Sequence, residues 1–161
     1  MLARRFVNTS PLVFLVRENL LEIPRSGVDD VAVPEPVIEE IHGHGMSDPT
    51  MQALDRASWL TIVPGPVIPP AIAAWRLGPG ESAALALTLA EADSWAVIDD
   101  WGARRCARSL SIPVIGTLGL VFLAKEEGSI PAARPVVERL RRSGRYLSDE
   151  VIREALARVG E

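Results

Sequence analysis

The fold is decided by residues 77–117, which read LGPGESAALALTLAEADSWAVIDDWGARRCARSLSIPVIGT. After a Gly-Pro-Gly turn, this stretch predicts an apolar helix over residues 82–92 and a short apolar strand over residues 95–98. A second helix begins at the acidic pair of residues 99 and 100, and residues 114–115 form another short strand. Alternating helices and apolar strands predict a parallel sheet with crossover helices. Ligands bind at the carboxyl ends of the strands in such sheets, so acidic residues at these ends indicate a functional site.

The rest of the chain repeats this alternation. Ser10 is a plausible N-cap with Pro11 at the first helical position. Residues 46–55 are polar and predict a loop, and residues 64–70 contain four prolines, which exclude a central strand or a helix interior. Strands are predicted over residues 5–7, 31–33 and 59–63, and helices over residues 11–21, 35–41, 71–76, 118–127 and 136–143 and from residue 148.

Length and charge limit the class of protein. A chain of 161 residues with 48% hydrophobic and 24% charged residues predicts one globular domain. The net charge of −4 is unevenly distributed. Residues 1–100 carry 6 arginines and 14 acids, whereas residues 101–161 carry 11 basic residues and 7 acids. The acidic part suits cations and the basic part suits polyanions, although an ordinary solvated surface would have the same composition.

The single cysteine and the lack of a long apolar run limit the cellular compartment that the sequence predicts. Cys106 is alone, which excludes an intrachain disulfide and a Cys-based zinc cluster, and its helical spacing predicts a packed side chain. No run of 18 apolar residues occurs, so no transmembrane helix is predicted. Arg4 and Arg5 precede an apolar patch, but residues 8–11 interrupt it and no small-residue cleavage site follows. The expected location is the cytoplasm.

A set of acids is predicted at strand ends and helix starts. Glu40, Glu81, Asp99 and Asp100 belong to it, and the polar Asn8 ends the first strand. Carboxylates that converge repel one another unless a divalent cation lies between them, and Mg²⁺ or Mn²⁺ suits such oxygen ligands. The metal would activate water and stabilise charge on a phosphate. The alternative is that Glu81 complements a helix dipole and that the aspartates act as an N-cap and a solvated residue.

Arginines follow the acids directly. Arg104, Arg105 and Arg108 lie on the predicted second helix, with Arg104 and Arg108 one turn apart. They suit a nucleic-acid backbone beside a metal site, and a solvated helix face explains them almost as well. A second basic cluster with the same two interpretations comprises Arg139, Arg141, Arg142 and Arg145.

Three further features of the sequence give weaker indications of function. The Gly-Pro-Gly turn is not a phosphate loop, because no Lys-Ser or Lys-Thr follows it. His42 and His44 offer only two zinc ligands on a turn that ends a helix. An apolar stripe on the last helix favours packing onto the domain's own core slightly over a partner surface, and consists of Val151, Ile152, Ala155, Leu156 and Val159.

Several motifs in the same order along the chain resemble a PIN-like domain family. Many of its members are uncharacterised PIN-domain nucleases or toxin components of toxin–antitoxin pairs. The combination is specific, although no single motif is. The resemblance rests on FVNTSPL at 6–12, VPEPVIEEI at 33–41, LGPGES at 77–82, VIDD at 97–100, the arginine pair at 104–105, PVIGTLG at 113–119 and the tail from Gly144 to Asp149.

This resemblance implies a three-layer α/β/α fold with a central parallel sheet of about five strands. Residues 1–161 would form one PIN-like domain, on which C-terminal helices from about residue 131 pack. It also implies a Mg²⁺- or Mn²⁺-dependent ribonuclease site. By position, its acids would fall at Glu40, Glu81 and either Asp99 or Asp100, and Asn8 stands where the family generally carries Asp. An asparagine oxygen can still bind a metal but brings no charge.

The leading hypothesis is therefore a metal-dependent ribonuclease for single-stranded RNA, acting as the toxin of a toxin–antitoxin pair. The partners implied are the RNA substrate, a small antitoxin protein and a second copy of the chain in a homodimer. Asn8, Glu81 and one or both aspartates would hold the metal, and Arg104, Arg105 and Arg108 would bind RNA. Two alternatives stay open at this point: a PIN-like binding module with little or no turnover, and a metal-dependent phosphoesterase acting on other substrates.

Overall fold

The computed structural model describes residues 3–45, 47–144 and 147–161. Its centre is a five-stranded sheet in which every neighbouring pair of strands is parallel. This confirms the predicted parallel sheet. The strands are β1 Arg4–Val7, β2 Asp30–Pro34, β3 Leu60–Val63, β4 Ser94–Val97 and β5 Val114–Ile115.

Nine α-helices and one short 3₁₀ helix, Ile23–Arg25, surround the sheet in the part of the chain that the structure describes. None of these helices combines the length and the apolar character needed to cross a membrane. The α-helices are α1 Thr9–Arg17, α2 Glu35–His42, α3 Pro49–Arg56, α4 Pro70–Ala73, α5 Pro79–Ala90, α6 Trp101–Ser109, α7 Thr117–Glu126, α8 Arg134–Arg142 and α9 Asp149–Arg158.

Side chains on the two faces of the sheet belong to two separate hydrophobic cores. On β1, Phe6 and Val7 are both fully buried, and they lie in different cores because successive strand residues point to opposite faces. The core around Phe6 includes residues of α5 and α6. The core around Val7 includes residues of α1, α7, α8 and α9, among them Leu140 and Leu156. Helices therefore cover both faces, which confirms the three-layer α/β/α arrangement.

The strand order β3-β2-β1-β4-β5 places the reversal of chain progression between β1 and β4. The chain first moves outward from β1 to β3, and then crosses to the other side of β1 to form β4 and β5. In open α/β sheets, ligands bind at the carboxyl ends of the strands where this reversal occurs. The backbone N–H of Asn8 donates to the carbonyl of Val97 at 3.1 Å, so the two strands remain paired up to this edge.

The main departures from the predicted elements lie in α3, α1 and α5. Residues 46–55 were expected to be a loop, but α3 begins at Pro49, because Asp48 accepts a hydrogen bond from the Thr50 N–H at 2.8 Å and caps the helix. The N-cap of α1 is Asn8 rather than Ser10. That helix ends at Arg17, soon before Asn19, which has a positive φ of 56°. Helix α5 begins at Pro79, three residues earlier than predicted.

The C-terminal helices pack on the same domain. Ile152 and Leu156 of α9 are buried in the core that contains Val7, whereas Val151 is 49% exposed. Ile152 and Leu156 of the apolar stripe therefore pack on the domain's own core. Gly144 ends α8 with a φ of +89°, a conformation that suits glycine, and Ser148 caps α9 by accepting from the Val151 N–H.

Candidate functional site

Four loops and helix ends meet at the carboxyl edge of the sheet. Asn8 directly follows β1, and Asp99 follows β4 after one intervening residue. Glu81 lies in the first turn of α5, and Glu40 lies near the end of α2. The strand order brings the ends of β1 and β4 together, and the two helices add their carboxylates from neighbouring positions. The sequence-predicted residues therefore converge on one region of the molecule.

Asn8 is the most buried member of this group, with 1% of its surface exposed. Its side-chain Nδ2 donates to Oε1 of Glu81 at 3.2 Å. Its Oδ1 is buried and has no hydrogen-bond partner. An unpaired acceptor inside a protein costs free energy, and such an atom calls for an explanation such as a bound ion or water. A cation at this oxygen would supply one.

Glu40 is held by groups from two other segments. Its Oε1 accepts a hydrogen bond from the backbone N–H of Gly80 at 2.8 Å, and its Oε2 accepts one from the Thr9 hydroxyl. Gly80 permits this close approach. A Cβ atom at Gly80 would lie 2.7 Å from Oδ1 of Asn8 and 2.8 Å from Oε2 of Glu40. The Gly-Pro-Gly turn thus gives the two side chains room that any other residue would fill.

Asp99 is fixed by a threonine that the sequence analysis did not single out. The backbone N–H of Thr117 donates to Oδ1 of Asp99 at 2.7 Å, and the Thr117 hydroxyl donates to Oδ2 at 2.5 Å. Gly116 precedes it, and a Cβ there would lie 3.1 Å from Oδ1 of Asp99 and 2.8 Å from Nη1 of Arg104. The GT pair at 116–117 is therefore the segment that receives this aspartate.

Asp100 has a different local role. Its side chain accepts from the backbone N–H of Ala103 at 2.8 Å and caps the N-terminus of α6. This is the structural alternative that the sequence left open for the acidic pair. Asp99 is partly buried, whereas Asp100 is exposed. Of the two, Asp99 is the one held at the sheet edge by a neighbouring segment.

Two open clefts expose this region to solvent. One, of about 330 Å³, is lined by Glu81, Asp99 and Asp100 together with Ser10. The other, of about 440 Å³, is lined by Asn8 and Glu81 together with residues of α1. Glu81 lines both clefts, and a ligand in either of them would contact this carboxylate.

The acids do not form a closed cage of three. Among the residues that the structure describes, no group of three or more His, Cys, Asp or Glu side chains is arranged to hold a metal ion. Glu40 turns toward Gly80, and Asp99 turns toward Thr117. The expectation that Glu40, Glu81 and an aspartate surround one ion therefore stays a prediction.

The residues present nevertheless fit a hard divalent cation. Mg²⁺ commonly keeps several waters and takes only one or two protein carboxylates, with substrate phosphate completing its shell. Glu81 and Asp99 share a cleft, and the unpaired Oδ1 of Asn8 adds a neutral oxygen donor. All these donors are oxygens, which Mg²⁺ and Mn²⁺ prefer.

The predicted RNA-binding arginines lie on α6 beside the acids. Nη1 of Arg104 donates to the carbonyl of Ile98 at 3.1 Å, so this side chain reaches back toward the sheet edge. Arg105 and Arg108 are exposed, and the guanidinium of Arg105 lies 5.9 Å from the ring centre of Trp75. The second basic cluster lies on α8, and its member Arg145 is outside the described residues.

The remaining candidates from the sequence are structural. His44 lies 3.7 Å from Asp48 across the turn before α3, and neither histidine joins a metal-binding group in the described part of the chain. Cys106 is fully buried, and burial raises the pKa of its thiol, so it is packed and unreactive, as predicted.

The comparison with known families agrees with the fold. A family model described as PIN domain matches residues 5–161, which includes all five strands almost completely and the C-terminal helices. No curated protein matches the chain. PIN domains are generally nucleases and generally use divalent metals. The chain therefore belongs to the PIN domain family.

Proposed function

We propose that this protein is a Mg²⁺- or Mn²⁺-dependent endoribonuclease that cleaves single-stranded RNA. The observation that carries the proposal is the meeting of Asn8, Glu81 and Asp99 at the point where the chain reverses between β1 and β4. A nuclease needs a place where a phosphodiester, a water molecule and a source of positive charge come together. An open cleft that is lined by oxygen donors and flanked by arginines can bind a metal ion, a water molecule and a phosphodiester together.

In this proposal, Glu81, Asp99 and Oδ1 of Asn8 would hold the metal. When bound, the metal would lower the pKa of a water molecule and stabilise negative charge on the phosphate. Nδ2 of Asn8 orients Glu81, and Thr117 orients Asp99. These donors keep both carboxylates directed toward the cleft that they line.

Glu40 would support the metal site without binding the metal itself. It is tied to the Gly80 N–H and the Thr9 hydroxyl, and thereby connects α2 to the starts of α5 and α1. Its carboxylate also adds negative charge beside Oδ1 of Asn8. That charge strengthens the attraction for a cation and repels RNA phosphate when no cation is present.

The test is cleavage of single-stranded RNA by purified protein with Mn²⁺ or Mg²⁺, compared with the same reaction in the presence of a chelator. Glu81→Gln and Glu40→Gln are expected to reduce the rate at least 100-fold. Glu39→Gln is the control, because Glu39 is an exposed neighbour of Glu40 on the same helix. Full activity of Glu81→Gln, or activity that survives chelation, would contradict the proposal.

A second candidate function is a PIN-like module that binds RNA without turnover. The observation in its favour is that the neutral Asn8 stands at the end of β1, where the family generally carries a charged Asp. The same assay separates the two. RNA binding that persists while wild-type protein fails to cleave at saturating Mn²⁺ would favour the binding module. Cleavage of a small phosphodiester but not of RNA would instead favour a phosphoesterase with another substrate.

The toxin role, the small antitoxin and the homodimer rest on the family resemblance. The expected result is that production of the wild-type chain in a bacterial host arrests growth, whereas production of the Glu81→Gln variant does not. Growth arrest by both variants would separate toxicity from hydrolysis. Light scattering of the purified chain tests the homodimer directly.

A further inference from the structure

Trp101 is a large apolar side chain placed in solvent. It is the first residue of α6, it directly follows the capping Asp100, and 70% of its surface is exposed. The packed face of α6 is formed by Ala103, Cys106 and Ala107, which are fully buried. Trp101 therefore adds little to the core, and its exposure has no structural explanation within this domain.

Trp101 continues the arginine stripe of α6. Residues three, four and seven positions apart lie on one side of an α-helix, so Trp101 is aligned with Arg104, Arg105 and Arg108. All four line one cleft of about 160 Å³ beside the edge strand β5. At 1.5 Å per residue, the stripe from Trp101 to Arg108 extends about 10 Å. The stripe begins next to the acidic cleft, which is the cleft lined by Glu81, Asp99 and Asp100, and it leads away from that cleft.

The arginines of this stripe keep charge available for a ligand. Within the ranges that the structure describes, neither Arg105 nor Arg108 forms an ion pair with an acid. The surface therefore combines an exposed aromatic face with unneutralised guanidinium groups. Single-stranded nucleic acid carries the matching chemistry, because unpaired bases expose flat aromatic faces and the backbone carries one negative charge per nucleotide.

We propose that Trp101 is a stacking platform for an unpaired base of the RNA, next to the phosphodiester held in the acidic cleft. Arg105 and Arg108 bind the phosphates that follow. This inference rests on the proposed function, because it deepens how the same site takes its substrate. It predicts a preference for single strands, since a base in a duplex cannot present its face to the indole. It predicts no strong sequence preference, because every base has a face that can stack.

The experiment measures the affinity of the full chain for a short single-stranded RNA in a Glu81→Gln background, which keeps the ligand intact. Trp101→Ala is expected to weaken binding roughly 5- to 150-fold, the range for loss of one stacked base, whereas Trp101→Phe retains most of the affinity. Trp95→Ala is the matched control, because Trp95 is 45% exposed but lies on β4, outside the α6 stripe.

A second ligand tests the base itself. With an RNA that contains abasic sites, the parent and Trp101→Ala proteins are expected to bind equally, because there is no base to stack. The inference is overturned by unchanged affinity of Trp101→Ala, by an equal loss on intact and abasic RNA, or by no binding of single-stranded RNA to the parent. Binding that depends on Trp101, combined with wild-type protein that does not cleave, would instead overturn the ribonuclease and keep the platform.

Discussion

Asn8→Asp is the substitution that most directly tests the metal site. Asn8 is almost fully buried, donates to Glu81, and directs its unpaired Oδ1 into the space that Glu40 also borders. The substitution keeps the size of the side chain, but it replaces the donor amide with an acceptor and adds a negative charge. We expect it to tighten Mn²⁺ binding and to lower stability without metal.

The magnitude follows from two contributions. Loss of the 3.2 Å hydrogen bond from Nδ2 to the Glu81 carboxylate removes about 1.5–3 kcal/mol. Two unit charges about 4 Å apart repel by about 4 kcal/mol at an effective dielectric constant near 20. Protonation of the new carboxyl relieves part of this repulsion, so we expect a net loss of about 2–4 kcal/mol in the free energy of unfolding at neutral pH. For a chain of this length, that lowers Tm by roughly 5–15 °C.

The sign of the pH dependence is fixed by the same repulsion. Neighbouring carboxylates would raise the pKa of the new carboxyl in the folded state above its unfolded value of about 3.9. The penalty is therefore absent below the unfolded pKa, and it grows as the pH rises toward the folded pKa. Acidification should bring the metal-free Tm of the variant closer to that of the wild type.

The assay is calorimetric titration of both proteins with Mn²⁺, together with melting curves in chelator and in excess Mn²⁺. Asn19→Asp is the control, because it makes the same chemical change at an exposed position outside the acidic clefts. Equal Mn²⁺ affinities and equal metal-free Tm values for Asn8→Asp and wild type would refute the reasoning and remove Asn8 from the metal site.

Substitutions at Gly80 and Thr117 test the groups that position the acids, and one at Glu161 tests the pH dependence of stability. Gly80→Ala should push the Glu40 carboxylate and Oδ1 of Asn8 aside and reduce cleavage about 100-fold, and it should also lower Tm because Asn8 is a short, buried side chain with little room to move; a normal rate would show that neither side chain need be in place. Thr117→Val should remove the hydroxyl that donates to Oδ2 of Asp99, cost about 1–3 kcal/mol and reduce cleavage, and Thr117→Ser should restore both stability and cleavage; equal behaviour of the two variants would contradict a role for the hydroxyl. Backbone N–H groups at the start of α8 are the chief cause that lowers the pKa of Glu161, so its contribution to the free energy of unfolding is present above the ordinary pKa of 4.5 and is lost as the pH falls. Glu161→Gln should therefore flatten the dependence of stability on pH in that acidic range. An unchanged dependence in denaturant titrations would count against this role.

Elements with a local signal could be predicted from the sequence. The strands were placed within one or two residues, because each contains a short hydrophobic run. The stop at Gly144 and the cap at Ser148 follow from backbone chemistry that is local to those residues. Helix α3 was missed because its polar composition hid the capping signal of Asp48 and Pro49.

The candidate site was predictable only in part, because its contacts join distant segments. Acids at strand ends are visible in the sequence, and a parallel sheet brings strand ends together. The hydrogen-bond partners of these acids cannot be identified from the sequence. Thr9 and Glu40 are 31 positions apart, and Thr117 and Asp99 are 18 positions apart. Only the folded chain shows that Thr117 holds one aspartate while the next one caps a helix.

The partners of the acids also explain how one surface can serve both a cation and a polyanion. Glu40 and Glu81 are held by neutral donors, and neither forms an ion pair with Lys or Arg in the part of the chain described by the structure. A lysine in these positions would fix the carboxylates equally well, but it would neutralise the charge that attracts a metal. Exposed positive charges lie instead on α6, at the border of the acidic cleft, and Arg17 of α1 lines the second cleft beside Glu81. RNA phosphate would thus be drawn to the helix, and it could approach the acids only where a cation offsets their repulsion, so that substrate binding at the cleft becomes dependent on metal.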